Sequence, residues 1–404
     1  MNKKYAWAAA GVVMVAMTAR AQVEWSTLDR HQATMTADTF SRLLAEVYAP
    51  EGGLVPYLRY GENKVAVYST PDQSVEPLFV LRFGETDQPP ARPAPSGPLP
   101  LSGLRIALDP GHIGGAWARM EERFFLVDRA TDWPVQEAAL NLHVAHLLRD
   151  RLSARGATVL LVKEDFEPMS DLRPDAALAA MTNLPPADPR FAHLPPLFIE
   201  AARLDARRKR AEQEFFRTAE IKARAARVNN ELRPDLTLCI HFNATGYGDE
   251  KTLYDANGLV FFVQGNFLPG ELIDDEQKFH LLSKLLERSR DEELALSRAI
   301  ADAFVAATGL PPSYPNFSGR NMKRMDSDYI YARNLAANRL FRGPVIFLEP
   351  YFMNNRTTYA RIQAGDYDGV REIDGKPYPS IFREYADAVA AGVERYYVRP
   401  STGD

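Results

Sequence analysis

Apolar and polar residues follow two different periods along this chain. In the first part, helical spacing of apolar residues predicts a helix over residues 37–48. Two short runs follow at residues 54–60 and 64–69, separated by a turn signal, and they predict a β-hairpin. Together, these elements predict a small α+β domain over residues 22–84.

Further along, short apolar runs alternate with longer runs of helical period. The predicted strands are 104–108, 158–162, 236–240, 259–263 and 344–348. The predicted helices are 135–155, 294–308 and 381–397. Because strands and helices alternate, the chain is predicted to form an α/β domain with three layers, α/β/α, around a mixed sheet.

Proline marks the expected domain boundary and an expected insertion. Six prolines lie between Gly84 and Pro100, a composition typical of an extended, semi-rigid spacer. We therefore predict a linker over residues 85–100 and a second domain over residues 101–400. Paired prolines also interrupt the alternation at about residues 164–201, which predicts an insertion, because long irregular loops are uncommon in compact domains unless they are functional or disordered.

Composition excludes several classes of protein. Of the 404 residues, 46% are hydrophobic and 25% are charged, as in ordinary globular proteins. The formal net charge of -5 argues against a nucleic-acid partner, because such proteins need clustered excess cations to displace counterions from phosphates. A basic run at residues 207–210 is predicted to be a solvated helix face, with a binding patch as the alternative.

The first residues predict export. Lys3 and Lys4 precede an apolar stretch at residues 6–17 and the small-residue signal Ala19-Arg20-Ala21, a pattern that predicts a signal peptide over residues 1–21. An uncleaved membrane anchor is the alternative, and no later segment is predicted to cross a membrane. We expect a periplasmic or secreted protein.

Cys239 is the single cysteine, so no intramolecular disulfide can form. Its apolar sequence neighbours predict a buried strand position.

Two histidines follow predicted strands directly. The strand at 104–108 runs into Asp109-Pro110-Gly111-His112, and the strand at 236–240 runs into His241. In α/β sheets, active residues collect at strand ends, so the two imidazoles are predicted to converge on one edge of the sheet. A single histidine at such a place is more often structural, and only the pairing favours a metal site.

One carboxylate would complete a metal site, because a catalytic zinc takes three protein ligands and leaves a fourth position for water. Glu137 is the best candidate, since it begins a predicted helix, although a carboxylate there also stabilises the helix dipole. Glu121 and Glu122 rank second. Asp109 and Asn243 are predicted to orient the histidines, with a role in the adjoining turns as the alternative.

A further carboxylate ends the last predicted strand. Glu349 follows the apolar run at residues 344–348, where a buried acid without a function is costly. Beside a metal site, it can take a proton from water and return the proton to a leaving amine. A capping or ion-paired glutamate is the alternative.

These residues form a series of motifs that resembles the zinc-dependent N-acetylmuramoyl-L-alanine amidase family, with its type 3 catalytic domain. The resemblance covers roughly residues 104–397. It rests on Asp109-Pro-Gly-His112, Glu137 with Leu140-Asn-Leu142, His241-Phe-Asn-Ala244, and Leu348-Glu349 with Phe352 and Asn354. Two helices also resemble the family: Ile221, Arg224, Val228 and Asn229 match its helix before the second histidine, and residues 386–397 match its last helix.

The resemblance implies that His112, Glu137 and His241 bind Zn²⁺ and that Glu349 is the catalytic carboxylate. The implied reaction is hydrolysis of the peptidoglycan amide bond between the lactyl group of muramic acid and L-alanine. The insertion lies where some relatives carry a segment that covers the zinc until a partner removes it, which implies autoinhibition and an activator protein. The alternatives are a zinc peptidase or amidase for another peptide, and a catalytically silent wall-binding regulator.

Overall fold

The structure, a computed structural model, describes residues 23–128, 130–185, 188–245, 251–315, 317 and 319–398. The predicted signal peptide lies outside these residues. The described chain divides into two compact units. The first unit comprises residues 23–89 together with Gly265–Glu287, and the second comprises residues 90–264 together with 288–398.

The strands of the described residues are β1 (Leu58–Gly61), β2 (Lys64–Val67), β3 (Phe79–Arg82), β4 (Arg105–Pro110), β5 (Phe124–Phe125), β6 (Val135–Gln136), β7 (Thr158–Leu161), β8 (Leu236–Ile240), β9 (Leu259–Val263), β10 (Lys323–Arg324), β11 (Ile330–Ala332), β12 (Val345–Pro350), β13 (Val370–Ile373) and β14 (Lys376–Pro379). The α-helices are α1 (Ala37–Leu43), α2 (Glu137–Ser153), α3 (Pro174–Ala180), α4 (Pro196–Gln213), α5 (Glu220–Ala226), α6 (Asp275–Glu287), α7 (Arg290–Thr308), α8 (Ala336–Leu340), α9 (Arg356–Gln363) and α10 (Ile381–Val398). π-Helical turns at Leu44–Tyr48, Glu214–Ala219 and Arg227–Leu232 continue α1, α4 and α5.

The first unit is a three-stranded antiparallel sheet, in the order β1-β2-β3, packed with helices. The predicted hairpin is present, but its first strand begins at Leu58 because residues Val55–Tyr57 form a 3-10 turn that contains Pro56. Proline has no N–H to donate to a neighbouring strand. Helix α1 begins where the side chain of Thr36 accepts a hydrogen bond from the amide of Thr39, an N-cap.

Helix α6 completes the core of the first unit although it lies far along the chain. Its buried residues Leu281, Leu282, Leu285 and Leu286 join one apolar cluster with the apolar residues of α1 and of the three strands. The hydroxyl of Tyr48 donates to the carbonyl of Lys284 at 3.0 Å. The sequence analysis placed residues 265–287 in the second domain, and the structure instead groups them with the first. An apolar helix face does not reveal its partner from sequence alone.

The second unit contains a seven-stranded mixed sheet in the order β10-β11-β9-β12-β8-β4-β7. Strands β12, β8, β4 and β7 run parallel to their neighbours in that order, whereas β9 pairs with β12 antiparallel. Every residue of β8 and of β9 is buried. Strands covered on both sides read as continuous apolar runs, which is how these two appeared in the sequence.

Helices cover both faces of this sheet. Alternate strand residues such as Ile106, Leu238 and Ile346 pack with α2, α7 and α10 on one face. Their neighbours Ala107, Cys239 and Val345 pack with α5 and α8 on the other. The structure therefore confirms the predicted α/β fold with a mixed sheet between two helical layers. Cys239 is buried, as predicted.

The predicted helix at 135–155 begins two residues late. Val135 and Gln136 pair with Phe125 and Phe124 as a short β-ladder, so α2 starts at Glu137. Within the described part of the chain, no helix combines the length and apolar character that crossing a membrane requires.

Candidate metal centre

Three neighbouring strands end at the same edge of the sheet and carry the candidate residues there. His112 follows β4 after one residue, His241 follows β8 directly, and Glu349 is the fifth residue of β12. The parallel register pairs Pro110 with Ile240 and Ile240 with Leu348. The carboxyl ends of β4, β8 and β12 thus bring the three side chains to one place.

The two histidines and Glu137 form one cluster. The Nε2 atom of His112 lies 3.1 Å from Oε2 of Glu137, and the Nδ1 atom of His241 lies 2.9 Å from Oε1 of the same carboxylate. One donor atom from each residue lies within 4.8 Å of the others, as the ligands of one metal ion require. His241 and Glu137 are buried, whereas His112 keeps 18% of its side chain exposed. Solvent can therefore reach the cluster from the side of His112.

The turn that carries His112 is held by buried cations. His112 has a φ of 66°, in the left-handed region that a non-glycine residue rarely adopts. The Nη2 atom of Arg224 donates to the His112 carbonyl at 2.8 Å, and the Nζ atom of Lys163 donates to the same carbonyl at 2.9 Å. The side chain of Asn141 donates to the carbonyl of Gly111 at 3.1 Å. These contacts fix a strained backbone, so the ring is presented in one orientation.

His241 is fixed by packing. Its ring stacks on Phe347 with centroids 4.1 Å apart, and the hydroxyl of Tyr385 donates to its carbonyl at 3.1 Å. On the other side, the ring lies against Gly111, where a Cβ atom would be only 2.0 Å from Cε1 of His241. Residue 111 must therefore be glycine for the ring to occupy this place.

The competing acids lie outside the cluster. Glu121 is buried and contacts His112 at Nδ1, the nitrogen that faces away from Glu137, with Oε1 at 3.4 Å. Glu122 is exposed. The structure brings Glu137, the first choice from the sequence, to the two histidines.

The side-chain hydrogen bonds of Asp109 and Asn243 go to partners other than the histidine rings. Asp109 is buried and accepts a hydrogen bond from Nη1 of Arg224 at 2.9 Å, so it acts on His112 through that arginine. The side-chain oxygen of Asn243 accepts from the amide of Ala244 at 2.8 Å, and its amide group donates to the hydroxyl of Tyr314. Asn243 thus holds the turn after β8, the alternative that the sequence left open, because its short side chain bonds to the adjacent backbone.

The charges of the cluster are strongly coupled. Burial favours a neutral Glu137, but the charge of His112 outweighs it and holds the pKa of Glu137 well below its usual range. Burial also opposes protonation of His112, but the carboxylates of Glu137 and Glu121 raise the pKa of His112 to about 9. Burial lowers the pKa of His241. The carboxylates of Glu137 and Glu121 therefore favour positive charge at this place.

The charges of the same cluster change the pKa of Glu349. Burial, followed by the negative charge of Glu137, raises its pKa to about 7. The positive charges of Arg333 and Arg123 act in the opposite direction. A carboxyl with a pKa near neutrality can both take and return a proton at physiological pH.

The donor set fits zinc. Two imidazole nitrogens and one carboxylate oxygen are ligands that catalytic zinc sites use, and three protein ligands leave a coordination position open. The partial exposure of His112 shows that this possible ligand is open to solvent. The Nε atom of Arg123 also lies 3.0 Å from Oε2 of Glu137 and adds a second cation at the carboxylate.

Sequence reasoning missed several residues of this site. Arg123 and Tyr385 carry no local signal, and Lys163 carries only a weak one, because each acts through contacts with residues distant in the chain. Arg224 stood out only through the resemblance of its helix. The one available hint for Lys163 was its place directly after the apolar run at residues 158–162, since charged residues are rarely buried without partners.

The insertion packs close to the His112 turn at its beginning. A Cβ atom on Gly114 would lie 2.9 Å from the ring of Phe166, so this ring lies against the turn.

In the basic run at residues 207–210, Arg207 donates to carbonyls at the end of α3, and Arg208 pairs with Asp205 on the surface. Arg208 is exposed, whereas Arg207 is half-buried against the end of α3.

No protein-family model and no curated protein sequence matches the chain. Among solved structures, the chain is similar to the N-acetylmuramyl-L-alanine amidases of Mycobacterium abscessus and Mycobacterium smegmatis, with 17% and 14% identity and a TM-score of 0.39 for each. These matches cover 73% of this chain and 99% and 97% of theirs. The CwlD amidase of Clostridioides difficile, solved in complex with the GerS lipoprotein, has 14% identity and a TM-score of 0.38, covering 73% of this chain and 98% of its own. At these values, the likeness alone assigns neither function nor site residues.

Proposed function

We propose that the chain is a zinc-dependent hydrolase of peptidoglycan that acts outside the cytoplasm. Its reaction is cleavage of the amide bond between the lactyl group of N-acetylmuramic acid and L-alanine. One observation carries the proposal: the motif residues His112, Glu137 and His241 converge beside Glu349 at one sheet edge, in the chain order of the amidase family.

His112 through Nε2, Glu137 through a carboxylate oxygen and His241 through Nδ1 would hold the zinc ion. When bound, zinc polarises a carbonyl and makes water a nucleophile at neutral pH. The protein itself supplies the orientation. Arg224 and Lys163 fix the His112 turn, and Phe347 and Gly111 confine the ring of His241.

Glu349 moves the proton. As a carboxylate, it accepts a proton from the attacking water, and as the acid it then donates that proton to the nitrogen of the departing L-alanine. Its pKa of about 7 suits both steps, because neither protonation state is strongly disfavoured near neutrality. The glycan keeps a free lactyl carboxylate, and the stem peptide leaves with a free amine.

The same centre would serve a peptidase or amidase for another peptide, since the metal set does not choose the substrate. The peptidoglycan substrate therefore rests on the motif resemblance. A silent wall-binding regulator is less well supported, because His112, Glu137 and His241 cluster and the carboxylate expected to move the proton lies at the end of the neighbouring strand β12.

Regulation by the insertion belongs to the same proposal. We expect residues 171–197 to restrict access to the centre until an activator protein binds. Deleting this segment should raise the rate of stem-peptide release. An unchanged rate in a deletion variant that remains folded and binds zinc would contradict autoinhibition.

The test uses the chain from residue 22 to 404. Bound zinc is quantified, and peptides released from purified peptidoglycan are analysed for a free L-alanine amine. Glu349→Gln serves as the paired variant, because it keeps the shape of the side chain and should keep the zinc. We expect near-stoichiometric zinc in both proteins and a rate for the variant that is lower by roughly 10²- to 10⁴-fold. Zinc binding without release of peptides would favour another substrate, and absence of zinc would reject the site.

A further inference from the structure

Glu121 is a buried carboxylate that the proposed reaction does not use directly. Its side chain is only 3% exposed, and it lies in the irregular segment between β4 and α2. Burying a charged carboxylate is costly unless several donors satisfy it. Its hydrogen bonds therefore show what it does in the fold.

One oxygen of Glu121 contacts the ring of His112. Oε1 lies 3.4 Å from Nδ1, while Nε2 of the same ring lies 3.1 Å from Oε2 of Glu137. The imidazole is thus held between two carboxylates, one at each nitrogen. His112 offers one nitrogen to the cluster of possible metal ligands, and Nε2 is the one that lies beside Glu137, another member of that cluster.

The other oxygen of Glu121 binds the backbone that follows His112. Oε2 accepts a hydrogen bond from the amide of Ile113 at 3.0 Å and from the amide of Gly114 at 3.4 Å. These amides continue the turn in which His112 has its left-handed conformation. One carboxylate therefore fixes both the turn and the ring.

We propose that Glu121 is a positioning residue that keeps the ring proton of His112 on Nδ1, so that the lone pair of Nε2 points to the metal. A neutral imidazole has one protonated nitrogen, and the hydrogen bond at one nitrogen decides which atom is free to bind a metal. Carboxylates in this place also raise the basicity of the ligand. The inference rests on the proposed metal dependence, but not on the identity of the substrate.

The two histidines present different nitrogens to the cluster. His241 uses Nδ1, and its ring is fixed by the stack on Phe347 and by contact with Gly111. His112 uses Nε2 and has Glu121 at its other nitrogen. Removal of Glu121 should therefore affect one ligand and leave the other in place.

Glu121→Gln is the informative variant. The glutamine oxygen can still accept from the amides of Ile113 and Gly114, which leaves its NH₂ group facing Nδ1 of His112. A donor at Nδ1 favours the tautomer with the proton on Nε2, and that tautomer cannot bind the metal. We expect the dissociation constant for zinc, measured by competition with a chelator, to rise by roughly 10- to 100-fold. The visible absorption of the Co²⁺-substituted protein should change as well.

Two comparisons separate positioning from a merely structural role. A structural role predicts that Glu121→Ala, which loses the backbone hydrogen bonds, is impaired more than Glu121→Gln. Positioning predicts that Glu121→Gln binds zinc at least as weakly as Glu121→Ala. Glu122→Gln, an exposed neighbour, is the matched control and should bind zinc like the wild type. Thermal unfolding in chelator establishes that each variant is folded.

The outcome is independent of the substrate. If Glu121→Gln binds zinc as tightly as the wild type, the positioning role is overturned, whatever the protein cleaves. If the wild type binds zinc and releases no peptide from the wall, the substrate is wrong, and the order of the zinc affinities still decides the role of Glu121. A wild-type protein that binds neither zinc nor Co²⁺ would overturn both proposals.

Discussion

At the scale of single residues, Gly111 and His241 set the tightest steric requirement of the candidate metal centre. The ring of His241 lies where a side chain at position 111 would be, and Phe347 stacks within van der Waals distance of the same ring. The ring therefore has no space in which to retreat from a larger residue at position 111.

Gly111→Ala should displace His241 and weaken zinc binding. The new Cβ atom would lie 2.0 Å from Cε1 of His241, a distance that no packing tolerates. We expect a zinc affinity at least ten times weaker, measured by chelator competition. Gly270→Ala is the matched control, because no atom lies within 4 Å of its Cβ position and its φ is -66°. Equal zinc affinities in the two variants would contradict the arrangement.

Glu349 should make the stability of the metal-free protein depend on pH. Its pKa in the folded state is raised from 4.5 to about 7, so between these values the folded state binds more protons than the unfolded state. Stability contributed by the neutral acid is therefore present at low pH and lost as pH rises through about 7. Glu349→Gln, which stays neutral, should exceed the wild type in stability at pH 8 and approach it at pH 5. Urea unfolding in chelator measures this, and a constant difference would contradict the raised pKa.

The sequence predicted the possible metal ligands and the catalytic carboxylate better than it predicted the residues that position them. His112, His241 and Glu349 each come after an apolar run, and this local pattern can be recognised in the sequence before the fold is known. Glu121 ranked second as a ligand because it does not begin a periodic apolar helix, and the sequence did not show that it reaches the Nδ1 atom of His112. The sequence also did not show that Asp109 binds Arg224, the residue that holds the His112 carbonyl, because that contact exists only in the fold. Asn243 bonds to the backbone of its own turn, which is the alternative stated from the sequence.

At the scale of elements, Arg224 connects helix α5 to the end of strand β4. The guanidinium is buried and binds the carboxylates of Asp109 and Glu220, each at 2.9 Å. It also donates to the carbonyls of Pro110 and His112. Arg224 therefore holds helix α5 against the turn that carries His112.

Arg224→Ala should destabilise the second unit strongly. The change leaves two buried carboxylates without this partner, and breaking a buried ion pair in this way costs about 3 to 5 kcal/mol. Urea unfolding in chelator measures the loss. Arg208→Ala is the matched control, since Arg208 belongs to the same helical stretch and pairs with Asp205 on the surface. Its removal should cost less than about 1 kcal/mol, and similar losses in both variants would refute the role of Arg224.

Long apolar elements were predicted closely, whereas short ones were missed. The limits of β8 and β9 agree with the sequence because these strands are buried on both faces and their apolar runs end abruptly. Strands β10 and β11 have two and three residues, too few to show a period. Strand β11 pairs with β9 and β10 pairs with β11, so their positions depend on pairing that only the folded sheet provides.

At the scale of the whole molecule, the chain leaves the first unit at Pro89 and returns to it at Gly265. The sequence did not reveal this return, because the leucines of α6 have the same helical period whichever core they join. Apart from residues 265–287, the domain limits of 22–84 and 101–400 remain predictions.

Deleting residues 23–89 alone should make the protein aggregate. The deletion would expose Leu281, Leu282, Leu285 and Leu286, which are buried in the core of the first unit. We expect a low soluble yield and strong binding of a hydrophobic dye. Replacing residues 266–286 by a Gly/Ser linker in the same deletion should restore solubility. A soluble single deletion with little dye binding would contradict the assignment of α6 to this core.

The return of the chain also sets the order in which the two parts can fold during synthesis. At the usual 5–20 residues per second, the ribosome needs about 10 to 35 s to pass from residue 89 to residue 265. During that time, the N-terminal strands have been made but the helix that completes their core has not. The unit that begins first is therefore finished only after most of the strands of the second unit have emerged, and its apolar residues need protection from other chains in the interval.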